Sequence, residues 1–367
     1  MNLGILGGGQ LGRMLAFAAQ PLGIRVTVVD PNPDTPAAVA ATHIRAEYED
    51  PEALAQLALS DVVTFEFENV PEPAARRLAS LKPVYPSPEA LRVAQERFLE
   101  KSTFVELGID TPRFLAIDSL DDARLAFAKL GPMVIKTRRG GYDGKGQCVV
   151  RAAGDVDDAY CPFDGIPVIA EELIAFTREL SVLVCRGIDG KSVVYPITQN
   201  HHEGGILRLS IAPALALGAE LQAQAEEWGK RLADHFGYVG VLALELFDVG
   251  GKLLANEMAP RVHNSGHWTI EGARVGQFEN HVRAVCGLPL GDPSALGPVA
   301  MINCIGAMPD PKAVLAIPDA HYHDYGKGPR AGRKVGHVTV RATDDATLRE
   351  RIAAIVALLP PPPADED

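Results

Sequence analysis

Residues 138–147 read RRGGYDGKGQ, two arginines, four glycines, a tyrosine, an aspartate and a lysine in ten consecutive positions. A hairpin turn needs one or two glycines, and a solvated basic loop needs none. A loop that grips phosphate needs both features, because glycine lets backbone N–H groups approach the oxygens while cations neutralise them. A second set lies in VLALELFDVGGKLLANEMAPRVHNSGHW, residues 241–268, where Glu245 and Glu257 fall on two strands joined by Gly250-Gly251. Side chains alternate faces along a strand. A two-residue loop would pair Val249 with Lys252, set Glu245 opposite Asn256 and turn Glu257 away, whereas an odd loop brings both acids to one face. Two converging carboxylates are costly to keep ionised without a cation, and two oxygen donors with phosphates make a Mg²⁺ set.

Arg261, His263, Asn264 and His267 follow in a segment too polar for an ordinary core connection. The fork of Arg261 suits a small anion, and the histidines read equally well as structural or catalytic. TQNHHEGGILR offers His201, His202 and Glu203, with no third ligand at a zinc spacing. GKGPRAGRKVGH carries Lys327, Arg330, Arg333 and Lys334, a basic cluster for an anion or a solvated face. GILGGGQLGRM holds G-x-G-x-x-G as Gly7, Gly9 and Gly12, with Asp30 where a ribose-binding acid would stand. Dinucleotide binding, a purely structural tight turn and another phosphate-bearing or nucleotide-like substrate all fit that turn.

These groups must be positioned by alternating elements. Strands are expected at 3–6, 25–29, 43–46 and 62–66 with helices over 11–20 and 51–59, which implies a parallel sheet covered by helices. KPVYPSP, residues 82–88, reads as a proline-stiffened boundary. Helical spacing covers 88–107 and ends at Gly108; hairpin patterns follow, with PMVIKTR and QCVVR flanking the glycine-rich loop. IPVIAEELI and ELSVLVCR lie around a short polar break, GIDG turns into SVVYPITQN, and a helix over 220–236 precedes VLALELF and KLLANEM. From about residue 290 a smaller segment holds the strands MINCIG and HVTVRA and a helix over 346–358; the PPPPADED tail is expected to be disordered.

The 367 residues allow two or three domains, and a net charge of -12 argues against nucleic acid or an anionic membrane as partner. Five single cysteines with no CxxC spacing read as reduced thiols, and no charged leader or long apolar run is present, so a cytoplasmic location is expected.

The ordered set GILGGGQLGRM, RRGGYDGKGQ, YPITQNHHEGGILR, GYVGVLALELF, NEMAPRVHNSGHW and GRKVGH resembles the 5-(carboxyamino)imidazole ribonucleotide synthetases, ATP-grasp enzymes of purine biosynthesis, from residue 2 to about 337. The resemblance implies an α/β and α+β chain with a Rossmann-like N-terminal domain (1–95), an ATP-grasp central domain (96–289) and a small C-terminal domain (290–367). It implies ATP, Mg²⁺ or Mn²⁺, bicarbonate and 5-aminoimidazole ribonucleotide, with carboxyphosphate as intermediate, in a homodimer. RRGGYDGKGQ then resembles a flap over the triphosphate. ATP contacts carried over by motif are Arg97, Lys136, Gly141, Tyr142, Asp143, Gly144, Lys145, Gly146 and Gln147. Glu171, Glu172, Leu173 and Ile174 answer to the adenine strand, Glu179 to the ribose, and His202, Asn256 and Glu257 to the rest of the pocket. Glu245 and Glu257 resemble the metal ligands; Arg261, His263 and Lys334 are the expected catalytic residues, the first two holding bicarbonate. Gly9, Gln10, Glu66, Glu68, Tyr142, Asp143, Lys327, Arg333 and Lys334 are expected to hold the ribonucleotide. Two departures stand out: Ala259 occupies the place of the asparagine in the superfamily's Glu-x-Asn-x-Arg, and Asn69 stands where some members carry histidine. A ligase using formate, a nicotinamide dehydrogenase built on GGGQLG and a non-catalytic nucleotide sensor are the competing readings.

Overall fold

The computed structural model describes residues 1–141 and 146–361, so Tyr142, Asp143, Gly144 and Lys145 of the loop and most of the proline-rich tail lie outside the described residues. The first 80 residues form the expected parallel sheet, in order β3-β2-β1-β4, from β1 (Asn2–Leu6), β2 (Arg25–Val29), β3 (Thr42–Ile44) and β4 (Val62–Phe65). Helices α1 (Gln10–Ala19), α2 (Pro51–Leu57) and α3 (Glu72–Ala79) cover it. The β-branched runs of β2 and β4 are buried almost throughout, as a parallel sheet covered on both faces demands. Val84, inside the proline-stiffened boundary, makes an isolated parallel bridge to Val63.

The stretch 88–107 is two helices rather than the one its spacing suggests, α4 (Pro88–Ala94) and α5 (Arg97–Glu106). The break is made by Glu96, whose carboxylate accepts from the N–H groups of Phe98 and Leu99 and so caps a new helix start. This restart turns Arg97, Glu100 and Lys101 to one face of α5, as i, i+3 and i+4.

A small antiparallel sheet follows, in order β5-β8-β6-β7, from β5 (Phe114–Ile117), β6 (Met133–Thr137), β7 (Gln147–Val150) and β8 (Val168–Glu172), backed by α6 (Leu120–Leu130) and α7 (Val156–Tyr160). PMVIKTR and QCVVR pair as expected. IPVIAEELI and ELSVLVCR do not pair: the first is β8, and the second, β9 (Arg178–Arg186), begins a different sheet. SVVYPITQN is likewise split, into β10 (Ser192–Val194) and β11 (Thr198–Glu203), with Pro196 between them.

The large sheet runs β14-β13-β9-β11-β12-β15-β17-β16, with β10 on β9. Its further members are β12 (Ile206–Ala212), β13 (Gly240–Asp248), β14 (Leu253–Ala259), β15 (Val299–Ile305), β16 (Ala320–Asp324) and β17 (Lys334–Arg341). Helices α8 (Ala219–His235), α9 (Thr269–Gly272), α10 (Gln277–Val285), α11 (Pro311–Leu315) and α12 (Asp345–Val356) complete the fold. The C-terminal strands therefore extend the central sheet through the β12·β15 pairing instead of forming a sheet of their own.

One core unites the first sheet with the large one. Leu3, Ile5 and Leu15 share it with Leu183, Val241, Trp268 and Phe278, and Thr64 bonds His281 of α10 across the junction at 2.9 Å.

The G-x-G-x-x-G turn is filled by the chain itself. Glu66, just past β4, accepts from the N–H groups of Gly9 at 2.5 Å and Gly12 at 2.6 Å. Asp30 accepts from Gly8 at 2.8 Å, from Asn32 at 2.8 Å and from Tyr48 at 3.1 Å. Buried carboxylates thus occupy the amides that would hold a dinucleotide's phosphates, and the candidate ribose acid is spent on the turn. Gly7 has φ +100, and a Cβ there would meet Glu66 Cγ at 2.4 Å. Gly7→Ala is therefore expected to cost about 2 kcal/mol or more, read as a lowered denaturant midpoint; an unchanged midpoint refutes the close approach.

Candidate active site

The site begins with an irregularity in the β13·β14 hairpin. Val249 and Lys252 exchange backbone hydrogen bonds around Gly250-Gly251, so the loop is the even, two-residue kind. By alternation alone Glu257 should then face away from Glu245. The register, however, runs Leu246↔Ala255 and then Leu244↔Met258. One residue of β13, Glu245, opposes two of β14, Asn256 and Glu257, and this bulge turns the second acid back into the cleft. The convergence expected from an odd loop is produced by a bulge instead.

Glu245, Asn256 and Glu257 line a cleft of about 540 Å³ bounded by the first sheet's loops, α5, the small sheet and the large sheet. Lys136 on β6 and Glu171 on β8 form its far wall. Glu171 is 3% exposed and receives Lys136 Nζ at 3.0 Å and Lys101 Nζ at 3.3 Å. Burial acts to raise the Glu171 carboxyl, but the two lysines and Arg97 outweigh it and hold it at about 2. Arg97 donates to Glu257 Oε2 at 3.0 Å and reaches the carbonyl of Gly141, at the stem of the glycine-rich loop, at 3.4 Å. Gly141 and Gln147 line the cleft, as do Glu172, Leu173 and Ile174; the Glu172 side chain, however, forks with Arg113. Glu179 and His202 face each other at 2.7 Å. Burial lowers the His202 imidazole, yet Glu179, Glu245 and Glu257 raise it on balance. His201 pairs instead with Glu203 on the surface.

Beyond the acid pair, His263 Nε2 lies 3.1 Å from Glu245 Oε1. Its other nitrogen faces Ser265 Oγ at 2.8 Å, the last member of a buried chain in which Ser210 donates to Asn200, Asn200 to Ser181 and Ser181 to Ser265. Burial acts to raise the Glu245 carboxyl, and its bond to His263 with the charges of His263, His202 and Arg261 brings it down instead. Arg261 pairs through Nε with Glu68 and through Nη1 with the Val262 carbonyl at 3.0 Å. His267 is buried, lines the cleft and is tilted against Phe278 and His337.

The residues expected to hold a ribonucleotide divide. Gln10, Glu68 and Lys334 line the cleft, and Lys327 bonds the Gln10 side chain at its rim. Glu66 and Gly9 are bonded to each other inside the wall, and Arg333 reaches the Gly328 carbonyl at 3.4 Å. Sequence reasoning passed over the apolar side, where Phe176 and Phe247 stack at 4.7 Å beside Val134 and Met258. Phe247 stands two residues from Glu245 on one strand, so the alternation of β13 already put it on the same face. Among the described residues no group of three His, Cys, Asp or Glu side chains could hold a metal. A divalent ion here would have two protein carboxylates, Glu245 and Glu257, and the chemistry of that pair fits Mg²⁺ completed by phosphate oxygens and water.

Against this geometry the comparisons are specific. Residues 102–278 match the ATP-grasp domain, 1–95 the ribonucleotide synthetase preATP-grasp domain and 299–351 the phosphoribosylaminoimidazole carboxylase C-terminal domain. The N5-carboxyaminoimidazole ribonucleotide synthase of Pseudomonas aeruginosa is 52% identical over 361 residues, 98% of this chain and 99% of that protein. The chain belongs to the N5-carboxyaminoimidazole ribonucleotide synthase family. The solved synthetase of Thermus thermophilus superposes with a TM-score of 0.94 at 47% identity, covering 99% of this chain and 100% of that one. A synthase from Aspergillus clavatus, solved with ADP and 5-aminoimidazole ribonucleotide, gives 0.91 at 32% identity over 98% of both chains. The chain is an ATP-grasp ligase, and the dehydrogenase reading of GGGQLG falls, consistent with the carboxylates that fill that turn.

Glu66 carries a measurable signature. Burial and then the charge of Asp30 push its carboxyl up, the two glycine N–H groups and Lys327 pull it down, and it settles at about 7. An acid whose folded pKa exceeds its unfolded value takes up a proton on folding in the interval between. Relative to Glu66→Gln, wild-type stability should fall as pH rises from about 5 to about 8. Denaturant titrations across that range measure it, and a pH-independent difference contradicts it.

Proposed function

We propose that the chain carboxylates 5-aminoimidazole ribonucleotide to the N5-carboxyamino product with ATP and bicarbonate. A bicarbonate oxygen attacks the γ-phosphorus as the bond to ADP breaks; the substrate amine then attacks the carboxyl carbon of carboxyphosphate, phosphate leaves, and the amine gives up a proton. The observation that carries this reading is one cleft running from Lys136 and Glu171, past Glu245 and Glu257, to Arg261, Gln10 and Lys334. Phosphoryl transfer asks a protein mainly for positioning and charge neutralisation, and the wall residues supply both.

In this reading Lys136 and Arg97 meet the triphosphate beside the loop-stem residues Gly141 and Gln147, and Glu179 with His202 meets the ribose. The backbone of 172–174 and the Phe176·Phe247 stack bound the adenine. Glu245, Glu257 and the Asn256 side chain face the phosphates; a bound Mg²⁺ would neutralise the transferring group and its leaving oxygens. Arg261 has Nε on Glu68 and Nη1 on a carbonyl, and among the described residues nothing bonds its Nη2, which is the donor for bicarbonate beside His263. Gln10 and Lys334, with Lys327 at the rim, meet the ribonucleotide's 5′-phosphate, and Glu66 fixes the Gln10 turn from behind. Closure over carboxyphosphate excludes water, which would otherwise hydrolyse it. A three-part division at 1–95, 96–289 and 290–367, a cytoplasmic location and a homodimer go with the family reading; among the described residues no helix is long and apolar enough to cross a membrane.

Phosphate release from Mg-ATP is expected only when bicarbonate and 5-aminoimidazole ribonucleotide are both present. Release with ATP alone at a comparable rate contradicts the assignment. Glu257→Gln should lower kcat by about a thousandfold with the fold retained, and Lys136→Met should raise KM for ATP by about tenfold. Steady-state kinetics beside circular dichroism measure both, and wild-type kinetics in either variant contradict that residue's role.

A further inference from the structure

Three side chains outside the cleft's expected set converge on the back of β14. Glu100 and Lys101, on the same face of α5 as Arg97, are 2% and 0% exposed, and Thr111 follows that helix. At the bulge Asn256 and Glu257 share one partner on β13, and because β14 is the edge strand of the large sheet its outward peptide groups have no further strand to bond and need partners elsewhere. Ala255 donates its N–H to the Asp110 carbonyl at 2.7 Å. Its own carbonyl receives Thr111 Oγ1 at 2.7 Å and Lys101 Nζ at 3.3 Å. Lys101 Nζ also bonds the Asn256 carbonyl, and Met258 donates its N–H to Glu100 Oε1 at 2.6 Å. Every one of these contacts goes to main chain within two residues of Glu257, although the Glu100 side chain also borders the cleft.

We propose that Glu100, Lys101 and Thr111 are positioning residues that hold β14 in its bulged course and so set Glu257 as a metal ligand. An unbulged β14 would return to strict alternation and carry Glu257 to the opposite face of the sheet. Burying an ammonium and a carboxylate is expensive unless both are fully used, and here Glu100 and Lys101 both bond the backbone of 255–258. Lys101 ties the bracket to the nucleotide as well, because its Nζ shares Glu171 with Lys136. Glu257 is thus held by one face of one helix, its carboxylate by Arg97 and its backbone by the bracket.

This inference rests on the reading of Glu257 as a metal ligand, and its test separates the two. Mn²⁺ binding to the ADP-loaded chain, followed by the paramagnetic resonance of free Mn²⁺, is compared for wild type, Glu257→Gln, Glu100→Ala and Glu100→Gln. Glu100→Ala is expected to weaken Mn²⁺ by about tenfold or more, with metal-free ADP affinity within about threefold of wild type. Glu100→Gln, which keeps an acceptor for the Met258 N–H, should recover most of that loss. Thr111→Val deletes one bond to Ala255 without changing shape, and should speed amide hydrogen exchange over 255–258 even if Glu100→Ala fails to fold. Wild-type Mn²⁺ affinity in Glu100→Ala while Glu257→Gln loses it overturns the bracket alone. No Glu257-dependent Mn²⁺ binding in wild type overturns the metal reading and the bracket with it. An equal loss of metal-free ADP binding, or unchanged exchange in Thr111→Val, also overturns the bracket.

Discussion

The arrangement depends on one extra residue in a strand. Opposite Glu245, β14 supplies Asn256 and Glu257 where an uninterrupted ladder would supply one residue. That irregularity brings two carboxylates into a single cleft without breaking the sheet on either side of it. The neighbouring groups then read as responses to the negative charge collected there: Arg97 on Glu257, His263 on Glu245, and the Glu179-bonded His202 close by.

Carboxylates are also used where none is needed for chemistry. Asp30 and Glu66 terminate the amides of the first turn, where a dinucleotide enzyme leaves those groups open for phosphate. The same strand-to-helix turn has become a rigid wall, with Gln10 at its edge bonded to Lys327 from the far end of the chain. A motif defined by glycine spacing thus reports a backbone shape, and the side chains that close on it decide whether a ligand can enter.

Much of the fold was legible because its signals are local. Alternation and turn glycines marked β6, β7, β13 and β14, and the spacing of apolar residues marked α1 and α8. What escaped depends on partners distant in sequence. The break before α5 has no glycine or proline, only the carboxylate of Glu96 folding onto its own helix start. The separation of β8 from β9 into different sheets is a choice among pairing partners that neither strand's pattern encodes. The bulge is supported by α5, more than 150 residues earlier in the chain. Motif resemblance reached Arg97, Lys136 and the acid pair, but Glu100 and Lys101 look like ordinary helix-surface charges until the helix is packed.

The continuity of the large sheet ties two functions into one register. The edge hairpin carrying Glu245 and Glu257 and the C-terminal strand opening at Lys334 are linked by unbroken antiparallel pairing through β9, β11, β12 and β15. Because the pleat repeats every second residue, a single-residue deletion within β12 would send downstream side chains through the sheet to its other surface. The distance across the sheet from the acid pair to Lys334 is accordingly set by the strands that lie between them, about 4.8 Å for each, and the lengths of the connecting loops leave it unchanged.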